Sequence, residues 1–124
     1  MPARFGISRE DQLRSKTVTP GWYTCLIKSV EQKPAKTDGS TNTNVEFVVE
    51  GGPFDGVPVG RTFSEKAPGF AVRFIEAIIG RKIKPEGEDF DFEMATGKKV
   101  RVYIKNDTYQ GRAVNRAEDF EPLR

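Results

Sequence analysis

PGFAVRFIEAIIG, residues 68–80, is where the chain changes its period. On either side of it, apolar and polar residues alternate, as on strands with one buried face. Within it Phe70, Phe74, Ile75, Ile78 and Ile79 recur at spacings of four, one, three and one, which draws a single apolar stripe along a helix. Pro68 and Gly69 punctuate its start, and Gly80 stands where a left-handed cap commonly ends a helix. One helix is thus set into a β chain, and the count of strands before and after it decides the architecture.

Three strands are expected before it. WYTCLIKSVEQ places Tyr23, Cys25 and Ile27 on one face and Trp22, Thr24, Leu26 and Lys28 on the other. KPAKTDGSTNTN, with Pro, Asp-Gly, Ser and Asn, reads as a loop throughout. NVEFVVEGG turns Val45, Phe47 and Val49 inward, EGGPFDG supplies hairpin glycines, and VGRTFSEKA is a shorter third strand. After the helix comes a connector, KIKPEGEDFDFEMATG, with a short helical turn in DFDFEMAT. KKVRVYIK is the fourth strand, NDTYQG a turn and RAVNRAEDF the fifth.

Five strands with a helix between the third and fourth is the order of the OB-fold, a small, partly open Greek-key barrel. An SH3-like barrel lacks that helix, and a split α+β sheet usually has a second long one. The expectation is a mainly β chain: an OB-fold barrel over residues 20–124, its bottom plugged by the helix, preceded by an arm at 1–19. The arm has mixed charge and room for a helical turn from Ser8.

Composition bounds the chemistry. At 124 residues one domain with a modest core is expected; nine Phe, three Tyr and one Trp make the chain too aromatic for a disordered one, though Phe63, Phe90, Phe92 and Phe120 suit core and surface alike. There is no His, which removes the commonest general base and zinc ligand along with Ser-His-Asp and Cys-His catalysis. The lone Cys25 excludes an internal disulfide and a cysteine-cluster zinc site, and sits among apolar neighbours as a small core residue. The contiguous acids of PEGEDFDFE read as a solvated connector, since two-metal sites gather carboxylates from separate elements. Neither a catalytic nor a metal constellation emerges, and no cofactor is implied. No apolar stretch reaches membrane-spanning length and no secretory h-region opens the chain, so a cytoplasmic protein that does not enter membranes is expected.

The fourth strand carries the functional signal. Val100, Val102 and Ile104 face one way, while Arg101, Tyr103 and Lys105 face the other. Single-stranded nucleic acid needs cations for its phosphates and flat side chains for its bases. Trp22, Lys28, Arg101, Tyr103, Lys105, Tyr109, Arg112 and Arg116 supply both kinds on the outward face, with Lys33 and Lys36 in the loop after the first strand. A solvated sheet whose Trp22 and Tyr103 pack under loops explains the same residues. The net charge of +2 does not separate the two readings, but the strand order favours nucleic acid, because that barrel face and its loops commonly bind oligonucleotides. Asn115 suits either a base edge or a strand-end hydrogen bond.

PGWYTCLIKSVEQ, NVEFVVEGGPFDGVPVGRTF and GKKVRVYIKNDTYQGRAVNRAEDFEPL together resemble a group of small bacteriophage OB-fold single-stranded-DNA-binding proteins, over about residues 20–123. The resemblance implies a non-catalytic protein that coats single-stranded DNA in phage replication and recombination, within the host cytoplasm. Many such proteins end in a long acidic tail that recruits replication enzymes, whereas this chain ends AEDFEPLR. Whether RNA is bound beside DNA, whether the chain is a homodimer, and which replication or host proteins it meets stay open. The rival reading is a phage-encoded interaction module that binds a host protein through an apolar patch of Trp22, Leu26 and Val48.

Overall fold

Inward-facing β-branched and aromatic residues build the strands expected of them. The computed structural model describes Gly6 and residues 8–14, 16–34, 40–65 and 68–123, with the backbone alone at 10, 11 and 14. Its strands are β1 (Gly21–Pro34), β2 (Thr41–Val49), β3 (Pro58–Ser64), β4 (Lys99–Tyr109) and β5 (Arg112–Glu121). They form one antiparallel sheet in the order β3-β2-β1-β4-β5. Cys25, Ile27, Val45, Phe47, Val49, Val59, Val100, Val102, Ile104, Ala117 and Phe120 all point to one side and are buried there. Burial, and secondarily the charge of Glu50, push the Cys25 thiol up to about 12, so it packs as a neutral group.

Two ladder irregularities set which residues face out. In β1, Ile27 pairs with Phe47 and Ser29 with Glu46, leaving Lys28 as an extra residue. The bulge returns Val30 to the inner side opposite Val45, where strict alternation would have turned it outward. In β5, Glu118 is likewise extra, between Asp119 opposite Tyr103 and Ala117 opposite Ile104.

Both hairpins are longer than their sequence suggests. Thr41–Asn44, expected in a loop, belong to β2: Thr43 is buried opposite Gln32, whose amide donates to its hydroxyl at 3.4 Å. Asn106–Tyr109, expected in a turn, extend β4, and the reversal is made by Gln110 (φ 50°) and Gly111 (φ 78°) alone. Positive φ at both central residues matches the twist of a two-residue hairpin, so the strands stay paired to the tip.

The helix α2 (Val72–Ile79) ends at Gly80, in the left-handed region at φ 74°, whose N–H donates to the Glu76 carbonyl at 2.9 Å. The apolar stripe needs one correction. Phe70 lies in a 3-10 turn, Pro68–Ala71, and is 69% exposed, because that turn does not continue the helical period. Ala71, Phe74 and Ala77 take the buried positions, with Ile75 and Ile78 packed beside them. A second 3-10 turn, Phe92–Ala95, falls where a helical turn was expected, and the Asp91 carboxylate accepts from the Glu93 N–H at its start.

Phe74 drives into the open side of the sheet. Its ring meets those of Phe63, Phe120, Phe47 and Phe92 at centroid distances of 5.1, 5.3, 5.8 and 6.0 Å. Among the described residues no ladder joins β3 to β5. Arg61 reaches across instead, donating from Nη1 to the Ala117 carbonyl at 3.1 Å with its guanidinium 5.5 Å from the Phe63 ring centre.

The segment before β1 is tied to this core. A short helix, α1 (Arg9–Arg14), leads to Val18, which is wholly buried. Asn115 accepts from the Val18 N–H at 2.9 Å and donates to the Lys16 carbonyl at 2.8 Å, while Asn106 donates to the Val18 carbonyl at 2.9 Å. Among the described residues no helix is long and apolar enough to cross a membrane.

Replacing Phe74 by Ala is expected to cost about 3–5 kcal/mol of unfolding free energy, since a ring is lost from the centre of a cluster. Phe70→Ala should stay within about 0.5 kcal/mol of wild type. Urea titration followed by far-UV circular dichroism measures both; equal losses would mean that Phe70 shares the buried stripe.

Candidate functional site

The register of β1 against β4 pairs Trp22 with Tyr103 on the outer side of the sheet. Their rings meet edge to face, with centroids 5.5 Å apart and planes inclined at 68°. One pair further along, Arg101 stands opposite Thr24, and its guanidinium lies 5.6 Å from the Trp22 ring centre. Glu121, opposite Arg101 on β5, accepts from its Nη1 at 2.6 Å. The guanidinium thus lies over the indole and the phenol meets the indole edge to face, all three half-buried on adjacent strands, with the guanidinium held from the side by a carboxylate.

Lys105 and Arg116 continue this face toward the β4–β5 tip, directly opposite one another. Arg116 sits between two acids, with Nη1 3.0 Å from Asp107 Oδ2 and Nε 3.5 Å from the bulge residue Glu118. The Asp107 carboxyl is held below its ordinary value by the Thr108 N–H, then by Arg116. At the tip itself Tyr109 pairs with Arg112 and is 66% exposed. Among the described residues no carboxylate lies within ion-pair distance of Lys105, Arg112 or Lys28.

The remaining expected residues lie elsewhere. Lys28, carried by the β1 bulge, lines a groove with Leu26, Glu46, Val48 and Pro58, beneath Leu13 of α1. Lys33 lies near the end of β1, away from the aromatic pair, and its Nζ is 3.5 Å from Glu31. Lys36 falls outside the described residues. Trp22, Arg101, Tyr103, Lys105 and Arg116 are therefore contiguous, Tyr109 and Arg112 extend them to one hairpin tip, and Lys28 and Lys33 run toward the other hairpin.

Two features were not found from sequence. One is the set of acids interleaved with the cations: Lys99 pairs with Glu50 at 3.0 Å, beside the Arg101 and Arg116 pairs. The other is the groove of Leu26, Val48 and Pro58, of which only the first two residues stood out as apolar and outward. Cross-strand opposition supplies a signal for the acids, because Arg101 faces Glu121 only once the β5 register is known. Asn115 resolves toward the hydrogen-bond reading, since both ends of its amide are engaged by the chain before β1. Among the described residues no three His, Cys, Asp or Glu side chains gather as a metal site would require.

No family model and no curated protein matches the chain.

The edge-to-face pair makes a prediction that needs no ligand. A double-mutant cycle with Trp22→Ala and Tyr103→Ala should show a coupling of about 0.5–1.5 kcal/mol in unfolding free energy. Urea midpoints of the wild type, both single variants and the double variant measure it, and strict additivity would mean that the rings do not touch.

Proposed function

We propose that this chain binds single-stranded DNA without marked sequence preference, through the outer face of β1, β4 and β5. The observation that carries the reading is the Trp22–Tyr103 pair with Arg101 layered on the indole. Flat side chains stack on any base, and guanidinium groups at their edge can meet the neighbouring phosphates. Lys105, Arg112 and Arg116 continue a path toward one hairpin tip, and Lys28 and Lys33 toward the other. Tyr109, exposed at the first tip, would offer another stacking surface.

The architecture proposed for this activity is the OB-fold. The order β3-β2-β1-β4-β5, a helix between the third and fourth strands, and Arg61 reaching from β3 to β5 all support it. In such a barrel the two long hairpins stand on either side of a cleft across the central strand, β1. On this reading the protein belongs with the phage single-stranded-DNA-binding proteins that its sequence resembles, and it coats single strands rather than transforming them.

One observation favours a second reading. Arg101, Arg116 and Lys99 each have a carboxylate partner, so the face has less free positive charge than its cations suggest, and Leu26, Val48 and Pro58 form an apolar floor beside it. That combination of polar rim and apolar centre also suits a protein partner.

Fluorescence of Trp22, the only tryptophan, separates the two. Titration with a thirty-nucleotide oligo-dT should quench it, and affinity should fall with salt at a slope of about −0.7 per phosphate contacted. Tyr103→Ala should weaken binding about 5- to 150-fold, matching about 1–3 kcal/mol per stacked base, and leave the slope unchanged. Oligo-U in place of oligo-dT tests discrimination between DNA and RNA. Absence of binding at low salt would discard the single-strand reading in favour of the protein-docking one.

A further inference from the structure

The acids on the outer face pose a question that the proposed function leaves open. A surface meant to attract phosphates would not ordinarily carry a carboxylate against its cations, yet Arg116 contacts two, at 3.0 and 3.5 Å. Both acids share the face of Arg116 by the strand period: Asp107 follows Tyr103 and Lys105 outward on β4, and Glu118 follows Arg116 by two residues on β5. Glu118 is also the extra residue of the β5 bulge, opposite no residue of β4. Asp107 stands opposite Val114 and reaches Arg116 along the diagonal of the hairpin.

The pairs differ in how firmly they are held. Arg101 and Glu121 have side chains 34% and 22% exposed, at 2.6 Å, and Arg101 also rests on Trp22. That pair fixes the guanidinium over the indole. Arg116 is 50% exposed, with Asp107 at 51% and Glu118 at 43%. Both of its acids are open to water, so the pairing is weak and screened, and either partner can leave it.

We infer that Arg116 is an exchange site in which Asp107 and Glu118 occupy the guanidinium until a backbone phosphate of single-stranded DNA displaces them. Carboxylate and phosphate oxygens compete for the same planar fork of N–H donors. The inference rests on the single-strand reading above and adds a regulation of that face. In the free protein the acids cancel the local field of Arg116. On binding, the released carboxylates recruit cations from solution, which offsets part of the counterion release from the DNA. The consequence is a limited affinity, a shallow salt dependence and a ligand that is readily given up.

The test compares oligo-dT binding, by anisotropy of a labelled thirty-mer across a salt series, for the wild type and charge-neutralised variants. Asp107→Asn/Glu118→Gln should bind about 2- to 20-fold more tightly, the range set by removing two exposed pairings. Its salt slope should steepen by up to about 0.7, as for one additional phosphate contact. Because Asp107 also accepts from the Thr108 N–H at 2.8 Å, Glu118→Gln alone serves as the milder variant and should give part of the gain. Glu86→Gln/Asp89→Asn, exposed on the connector after α2, changes net charge equally and should stay within about twofold of wild type. Arg116→Ala should remove the gain when added to Asp107→Asn/Glu118→Gln. If the wild type binds and the two acid variants bind no better, the exchange is overturned and the single-strand reading stands. An equal gain in the connector variant would also overturn it, assigning the effect to net charge. If none of the proteins binds the oligonucleotide, the single-strand reading fails and the exchange fails with it.

Discussion

Phe74 sits where the sheet leaves its interior uncovered, and the positions of the other elements follow from filling that space. A sheet ordered β3-β2-β1-β4-β5 buries one side only if something apolar enters between its edge strands. The ring of Phe74 does so from α2 and gathers Phe47, Phe63, Phe92 and Phe120 around it. These rings come from β2, β3, the 3-10 turn before β4, and β5, so one cluster joins segments distant in sequence. The Arg73–Asp119 pair at 3.0 Å and the Gly80 cap hold α2 at its two ends, but exposed polar contacts of that kind add little beside aromatic burial.

With the inner side committed to this cluster, the outer side is free to carry chemistry. Each buried member of β4 enforces an exposed neighbour, so Val100, Val102 and Ile104 present Arg101, Tyr103 and Lys105 as a consequence of the pleat. The two bulges then edit the pattern. One takes Lys28 out of the ladder beside the Leu26–Val48 groove and returns Val30 inward, and the other takes Glu118 out of the ladder and turns Phe120 inward. Asn106 and Asn115 are the inward exceptions near the β4–β5 tip. Turning half-buried amides inward there is tolerable because they hydrogen-bond the backbone of Lys16 and Val18, which brings the chain before β1 under the hairpin.

The electrostatics of the outer face distinguish this protein from a simple basic surface. Its cations alternate with acids on neighbouring strands, which keeps long-range attraction weak while leaving short-range donors in place. A face of this kind relies on contact geometry more than on field. The contiguous Arg101, Trp22 and Tyr103 therefore count for more in the proposed function than the number of lysines and arginines, and the proposed exchange at Arg116 gives the acids a role consistent with it.

The number and order of the strands, the inward rows of β2 and β4 and most of that of β1, the place of α2 and its Gly80 cap were legible in the sequence. They depend on periods of two and 3.6 residues, and on a left-handed position that glycine adopts without strain. Opposition of Trp22 with Tyr103 was not legible, although both were expected on the outer face, because register between distant strands depends on core packing. Phe70 misled for a related reason: it extends the apolar spacing of α2 but lies in a turn with a different period. Phe63, Phe92 and Phe120 gave no local sign of converging on Phe74, and the acids beside Arg101 and Arg116 none of pairing with them. Local pattern thus decided which side most strand residues face, with Val30 and Phe120 turned inward by the bulges. Only the tertiary structure decided each residue's neighbours, since bulges, hairpin length and the fit of rings around Phe74 act between segments that no local window contains together.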